Sequence, residues 1–420
     1  MRWVYSVFPA SLAAGPLGTL VQLYLIELNG IHQGTLYISV AVAVYNAVGI
    51  PAAVFWGFAT DRIHQRRLLI ASSYAVTAAI LASLYFDSTT AGTIFTYASF
   101  SFVSAASATP LNLLIMETSA KARWAGAFAR LSMISSMGTV GGLLLGAFWV
   151  QALPLLALSV PLSLFALAST VMAVLTLPRS EFVLEPATVV MRRPSFFHRL
   201  LALPMIFISP PRLSDFRRSF RGARSGLTRH LPFFYISIFM FYLSSGLFNT
   251  SLVPAMSSTG IAKGPVFAAV LSGMLVQTVS FQFAGRYVER RPLSTTSIQG
   301  LLLRGVCYGG IGVAALFLTG YPFLAAVLVL YPIAGGVAFS VYYTSSNTMM
   351  FNSVKKSPGA ALGVYSAIVG LASAAGSLAS GAISVYWGFY LTFTLASILL
   401  YAAVFVVTRI PAAEGTSAAD

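Results

Sequence analysis

Long apolar runs separated by short polar loops dominate the chain. A bilayer core of about 30 Å needs roughly 20 apolar residues per helix. Twelve runs reach that length: residues 4–28, 35–58, 68–86, 92–116, 124–149 and 155–177, then 232–256, 265–285, 297–318, 322–350, 359–386 and 388–408. A membrane strand needs only about 9–11 residues and alternates apolar with polar positions; these runs are longer and do not alternate. The predicted fold class is an all-α polytopic membrane protein with twelve transmembrane helices. The first run follows Arg2 and contains the small residues Ala13-Ala14-Gly15, as a cleavable leader would. It is longer than the apolar region of a signal peptide, and it is expected to be retained as helix 1.

Composition narrows the class further. Of 420 residues, 57% are hydrophobic and 8% charged, against roughly a quarter charged in soluble domains. A water-soluble fold is excluded, and an aromatic content of 13% excludes a disordered chain. The formal charge of +15 suggests a nucleic-acid binder, but its distribution argues otherwise. The N-terminus, the even-numbered loops and the C-terminus hold 22 of the 25 Lys and Arg residues. The odd-numbered loops hold only Lys263, and Arg130 and Arg304 lie inside helices. The positive-inside rule then puts both termini in the cytoplasm. A single cysteine, Cys307, rules out a disulfide framework or a multi-cysteine metal site.

The domain reading is a six-helix bundle at 1–177, a basic linker at 178–231, a second six-helix bundle at 232–409 and a cytoplasmic tail at 410–420. The linker carries ten arginines and three acids (Glu181, Glu185, Asp215). Its apolar stretch Phe196–Ile208 is too short to span and is interrupted by Pro204. The linker is expected to lie along the cytoplasmic interface with its arginines facing anionic lipid headgroups, and no nucleic-acid partner is expected.

The two bundles resemble one another. Asn29-Gly30-Ile31 matches Thr259-Gly260-Ile261 at an offset of 230, and Gly57 to Asp61-Arg62 matches Gly285 to Glu289-Arg290 at 228. Asn112 and Lys121 match Asn347 and Lys356 at 235, and Gly138, Gly142 and Gly146 fall on Ser373, Ser377 and Gly381 at the same offset. Parallel six-helix repeats place a binding site near the midplane between the halves and imply rocking of one half against the other.

The loop after helix 2 reads Gly57-Phe-Ala-Thr-Asp61-Arg62-Ile-His-Gln-Arg66-Arg67. A glycine, then Asp-Arg, then a basic pair resembles the signature loop of the major facilitator superfamily. Glycine lets a helix end against a close neighbour. A carboxylate can face the positive end of another helix, worth up to about 2 kcal/mol when partly buried. The resemblance implies that Asp61 bridges to the start of helix 11, at Pro358-Gly359-Ala360, when the cytoplasmic gate is shut. By the repeat, Glu289 would meet the start of helix 5 near Arg123-Trp124. Glu117 and Arg123, between helices 4 and 5, resemble the family's acid-then-arginine loop and are assigned to the same gating machinery. Two departures argue against proton antiport. Helix 4 has no central arginine between Tyr97 and Pro110, and Leu143 stands where the helix 5 motif of the proton-driven drug antiporters carries proline. Gly138, Gly142 and Gly146 then read as close helix packing.

Ionisable residues at membrane depth are candidate functional groups, and none of the acids lies at a helix centre. Glu27, near the outer end of helix 1, is the candidate for proton coupling, against a solvated helix end. Arg130 lies about two turns inside helix 5, either touching an anion or snorkelling to the surface. Arg304 is expected to snorkel, because helix 9 is peripheral in this fold. The candidate solute cavity is built from Gln22, Tyr45, Asn46, Asn249, Gln277, Tyr342 and Tyr343 with Arg130. Each amide among them serves either as interhelical glue or as a solute contact.

An aromatic, hydrogen-bonding and nearly uncharged cavity suits a neutral or amphipathic small-molecule solute. The expected function is secondary transport by alternating access, with export leading over uptake of a sugar or other small metabolite. No Gly-x-x-x-x-Gly-Lys-Ser/Thr loop is present, which disfavours an ATP-driven pump. The four histidines lie in loops or at helix ends, which disfavours an intramembrane enzyme, and a receptor or scaffold on the same fold is the remaining class. No metal or other cofactor is expected, and the chain is expected to act as a monomer.

Overall fold

The computed structural model describes residues 2–62, 65–118, 124–178, 231–353 and 358–409. Most of the basic linker, Arg123 and the tail at 410–420 lie outside them. Among the described residues every regular element is helical. The first half comprises a short 3₁₀ turn and then α1 (Val7–Ala14), α2 (Leu17–Arg62), α3 (Arg66–Tyr85), α4 (Thr90–Thr118), α5 (Trp124–Ala152) and α6 (Ser159–Thr176). The second half comprises α7 (Leu231–Ser258), α8 (Lys263–Glu289), α9 (Leu293–Phe317), α10 (Tyr321–Tyr331), a π-helical segment (Pro332–Ala338), α11 (Phe339–Ser353), α12 (Pro358–Trp387) and α13 (Phe389–Val407).

Eleven segments among the described residues are long and apolar enough to cross a membrane. The first runs from Trp3 to Gly57, 55 residues, far more than one crossing needs. It is broken at Gly30, whose φ of 74° and ψ of 171° are non-helical. A Cβ placed on Gly34 would sit 2.8 Å from the Ile26 Cα, whereas eight residues of straight helix span about 12 Å. The chain therefore reverses at Gly30. The equivalent glycine of the second half, Gly260, has φ 79° and separates α7 from α8. Both positions need a left-handed backbone that only glycine adopts without strain, so the repeat read in the sequence is also a repeat of backbone conformation.

Within each half, small residues bring backbones together, as expected where lipid supplies little hydrophobic drive. A Cβ on Gly138 would come 2.5 Å from the Phe8 carbonyl oxygen, and one on Gly142 would press on the Leu12 carbonyl, so α5 lies directly on α1. In the second half α12 lies on α7 in the same way: a Cβ on Gly246 would come 2.5 Å from the Ser373 carbonyl oxygen, and Thr250 donates to Ser377 at 3.0 Å. Ser251 is hydrogen-bonded to both Ser380 and Ser384.

Arg304 does not snorkel. It is 2% exposed in the interior of the second half. Tyr308, one turn further along α9, takes its hydrogen bonds, and the rings of Phe241 and Phe339 cover it. The face of α9 that carries Arg304 packs inward, and the lipid-facing positions are Val306 and Val313.

Candidate functional site: a cavity between the halves

The two halves meet through α2 with α12 and through α5 with α8. At the Gly30 end they are closely packed. Gly146 lies against the Phe267 ring, with 2.8 Å to a Cβ placed there, and Gly264 lies against the Ala147 carbonyl. Gly381 lies against Ser39. Gly146 and Gly381 are repeat mates, and each contacts the opposite half. Glu27 and Lys263 form an ion pair of 2.7 Å across the same end. Midway along the interface, Gly370 lies against Ile50 and near the Asn46 carbonyl oxygen.

At the Gly57 end the halves diverge around a cavity of about 1130 Å³. Arg130, Ser132, Met133 and Ser136 of α5 form one wall. Gln277, Thr278, Phe281 and Gln282 of α8 form the second, and Phe339, Tyr343, Thr344, Asn347 and Thr348 of α11 the third. Phe339 stacks on Tyr343 with ring centroids 5.5 Å apart, and Phe281 meets both rings edge-on. A cleft of about 510 Å³ in the first half adjoins this cavity, sharing Ser132 and Ser136. Hydroxyls from Ser11, Ser73, Thr77, Ser104 and Ser107 line it, and the buried Tyr74 hydroxyl beside it has no hydrogen-bond partner among the described residues. Arg130 is the charged side chain on these walls; none of the lining residues is acidic. Such a surface can offer hydrogen bonds and ring faces to a solute, with one cation at its mouth.

Three of the cavity residues expected from sequence stand on this wall: Arg130, Gln277 and Tyr343. Tyr342 does not. It is 2% exposed, with its ring stacked 4.0 Å from Phe241 and its hydroxyl 3.5 Å from that of Ser237. Tyr45 is half-buried and stacks on Tyr97 at 4.4 Å within the first half. Asn46 sits at the seam with α12, Asn249 is exposed on α7, and the buried Oε1 of Gln22 has no partner among the described residues. Glu27 is not isolated, since Lys263 neutralises it.

The residues expected to form the gate fall at the ends of helices. Gly57, Asp61 and Arg62 end α2, Arg66 opens α3, Glu117 falls in the last turn of α4, and Gly285, Glu289 and Arg290 end α8. The side chains of Asp61, Arg62 and Glu117 lie outside the described residues. Arg66 is half-buried and Glu289 and Arg290 are exposed. Arg67 donates to the Val174 carbonyl in the last turn of α6, a cation at the negative end of a helix. The close neighbour expected beside Gly57 is absent among the described residues: a Cβ at Gly57 or Gly285 would meet nothing within 4 Å. The side chains at the start of α12, the neighbour the motif reading gives this end, lie outside the described residues.

Sequence reasoning missed Phe281, Phe339 and the hydroxyls of the adjoining cleft. Serines at 101, 104 and 107 share a face of α4 at helical spacing, a signal that a search for charges and amides passes over.

The chain matches the profile of the Major Facilitator Superfamily over residues 4–354. No curated protein matches it significantly. Solved structures with the same fold include the human organic anion transporter MFSD10 (TETRAN), at TM-score 0.58 and 16% identity, covering 97% of this chain and 99% of that one. A mutant of the nucleoside transporter NupG aligns at TM-score 0.65 and 16% identity, covering 97% and 98%. A POT family transporter in complex with a thioalcohol-conjugated peptide aligns at TM-score 0.68 and 14% identity, covering 97% and 94%. With that profile spanning most of the chain, this protein belongs to the major facilitator superfamily.

Proposed function

We propose that the protein is a secondary active transporter that moves a small neutral or amphipathic solute across the cytoplasmic membrane by alternating access. The observation that carries this reading is the asymmetry between the two ends of the interface, packed at Gly30 and hollow at Gly57. Dividing the first segment at Gly30 makes twelve crossings, and the distribution of Lys and Arg orients both termini to the cytoplasm. The cavity then opens inward, and rocking about the α2–α12 and α5–α8 seams would expose it outward. The basic linker rests on anionic headgroups, the protein works as a monomer, and its work is transport rather than chemistry.

Rings on α8 and α11 facing hydroxyls and amides suit an amphipath. Amphipaths enter cells passively, so active transport is needed chiefly to expel them, and export is the favoured direction. The hydroxyl-lined cleft in the first half favours a second reading, uptake of a polyhydroxylated metabolite such as a sugar. Organic anions, nucleosides and peptides are all named for structures of the same fold, so the fold does not choose between them.

The test begins with a thermal-shift screen of a compound library on the purified protein. Each stabilising compound is then offered, radiolabelled, to proteoliposomes with and without an imposed gradient. Movement without ATP is expected, and an absolute requirement for ATP overturns the proposal. Inside-out and right-side-out orientations decide between export and uptake.

A further inference from the structure

Arg304 is a buried cation without a counter-charge. Its Nε and Nη2 donate to the Tyr308 hydroxyl oxygen at 2.8 and 2.5 Å, while its Nη1 has no hydrogen-bond partner among the described residues. The guanidinium carbon lies 4.6 Å from the Phe241 ring centroid, 5.0 Å from that of Tyr308 and 5.3 Å from that of Phe339. A guanidinium does not give up its proton in a protein. Ring faces attract a cation, but they do not neutralise it, and burial of an unpaired charge costs more than they supply. The second half cannot provide an anion of its own. Glu289 is its sole acid between residues 231 and 409, and it is exposed at the end of α8.

Phe339 belongs to two environments at once. Its ring covers Arg304 and also forms part of the cavity wall with Tyr343 and Phe281. It is the first residue after the π-helical segment Pro332–Ala338, which contains the pair Gly335-Gly336. Wide π turns are rare and concentrate at functional sites; here one sets the position of the ring between the arginine and the cavity.

We propose that Arg304 is an anion site reached from the cavity past the Phe339 ring, taking one negative charge. The group is either a carboxylate of the solute or a chloride ion. In the first case the solute class of the transport reading narrows to amphipathic monoanions, and that version rests on the transport reading. In the second, chloride is a resident ion that neutralises the second half.

The test uses the full chain purified in detergent, in a HEPES buffer neutralised with N-methylglucamine and free of small anions. Melting temperature is followed against N-methylglucamine chloride, N-methylglucamine benzoate and uncharged benzamide. A saturable rise with an anion and none with benzamide is expected. Arg304→Gln should raise the half-saturating concentration at least tenfold. Arg304→Lys, which keeps the charge but loses the planar fork, should raise it less, and Phe339→Ala should lower it by removing the cover. Saturation by chloride alone identifies a resident ion, whereas benzoate that competes with chloride identifies the carboxylate site. No saturable anion response in the wild type overturns the proposal, as does an unchanged half-saturation in Arg304→Gln. If Arg304→Gln fails to fold, unchanged values in both Arg304→Lys and Phe339→Ala overturn it instead. Anion binding by a protein that moves nothing in liposomes sinks the transport reading and leaves the site standing. Transport accompanied by no anion response does the reverse.

Discussion

The Glu27 carboxylate lies 2.7 Å from the Lys263 ammonium, and the two residues belong to opposite halves of the molecule. Both are substantially exposed, at 49% and 39%, and an exposed pair is worth about 0.2–1 kcal/mol. Glu27→Gln should therefore shift the balance of open and closed forms at the Gly30 end by no more than about fivefold. The exchange Glu27→Lys with Lys263→Glu should restore it. Labelling of a cysteine introduced at that end, in a Cys307→Ser background, reads the balance. The same carboxylate stands as the sequence's candidate for proton coupling, and a paired group at the rim is poorly placed for that task. Transport driven by a pH gradient should survive Glu27→Gln, and its loss would return Glu27 to the coupling role.

Gly146 and Gly381 should act on conformation, and Gly142 on folding. The first two face the opposite half, against Phe267 and Ser39, whereas Gly142 faces the Leu12 backbone of its own half. Leucine at 146 or 381 should wedge the Gly30 end apart and raise cysteine labelling there several-fold, with a small change in melting temperature. Leucine at 142 would press on the Leu12 backbone and the rigid Pro16 ring and should cost at least about 1–3 kcal/mol, read as a lower melting temperature without selective labelling. Equal thermal losses at all three positions would remove the distinction.

The long apolar helices were legible because burial in lipid needs long uninterrupted apolar runs, a demand on composition alone. The reversal at Gly30 was legible through its mate Gly260, since a left-handed backbone restricts the residue type. Arg304 was misread because its burial depends on which face of α9 turns inward, and the rings that cover it lie far away in sequence, at Phe241 and Phe339. Tyr342 and Tyr343 were assigned together because both lie near a helix centre. A rotation of about 100° per residue, set by packing after the π turn, sends one into the core and the other into the cavity. Pro332 and Gly335-Gly336 were the visible trace of that turn.

Among the described residues nothing crowds Gly57 or Gly285, which bears on the opposite state. Alanine at either position meets nothing within 4 Å among the described residues, so it should leave the melting temperature of this form unchanged. If rocking brings the Gly57 and Gly285 ends together, the added methyl group should slow transport several-fold. Asp61→Asn, which weakens the same closure by the gating reading, should shift the population toward the form with the Gly57 end open. Unchanged transport in both alanine variants, together with unchanged labelling in Asp61→Asn, would remove this end from the gate.

Tyr342 and Tyr343 should separate stability from transport at adjacent positions. Tyr342 is buried, stacked on Phe241 and within reach of the Ser237 hydroxyl. Truncation to alanine leaves a cavity between α7 and α11 and should cost about 3–5 kcal/mol, the range for large aromatic side chains in a core. Tyr343 is 39% exposed and looks into the 1130 Å³ cavity. Tyr343→Ala should change stability by no more than about 0.5 kcal/mol, while raising the solute concentration needed for half-maximal transport. Tyr342→Phe keeps the ring and loses only a long hydroxyl contact, so it should behave as wild type in both assays. The pair is read by melting temperature and by concentration dependence of uptake into proteoliposomes. A Tyr343→Ala variant that melts as low as Tyr342→Ala would mean that α11 turns the other way, and the cavity wall drawn from Phe339 and Tyr343 would fall with it.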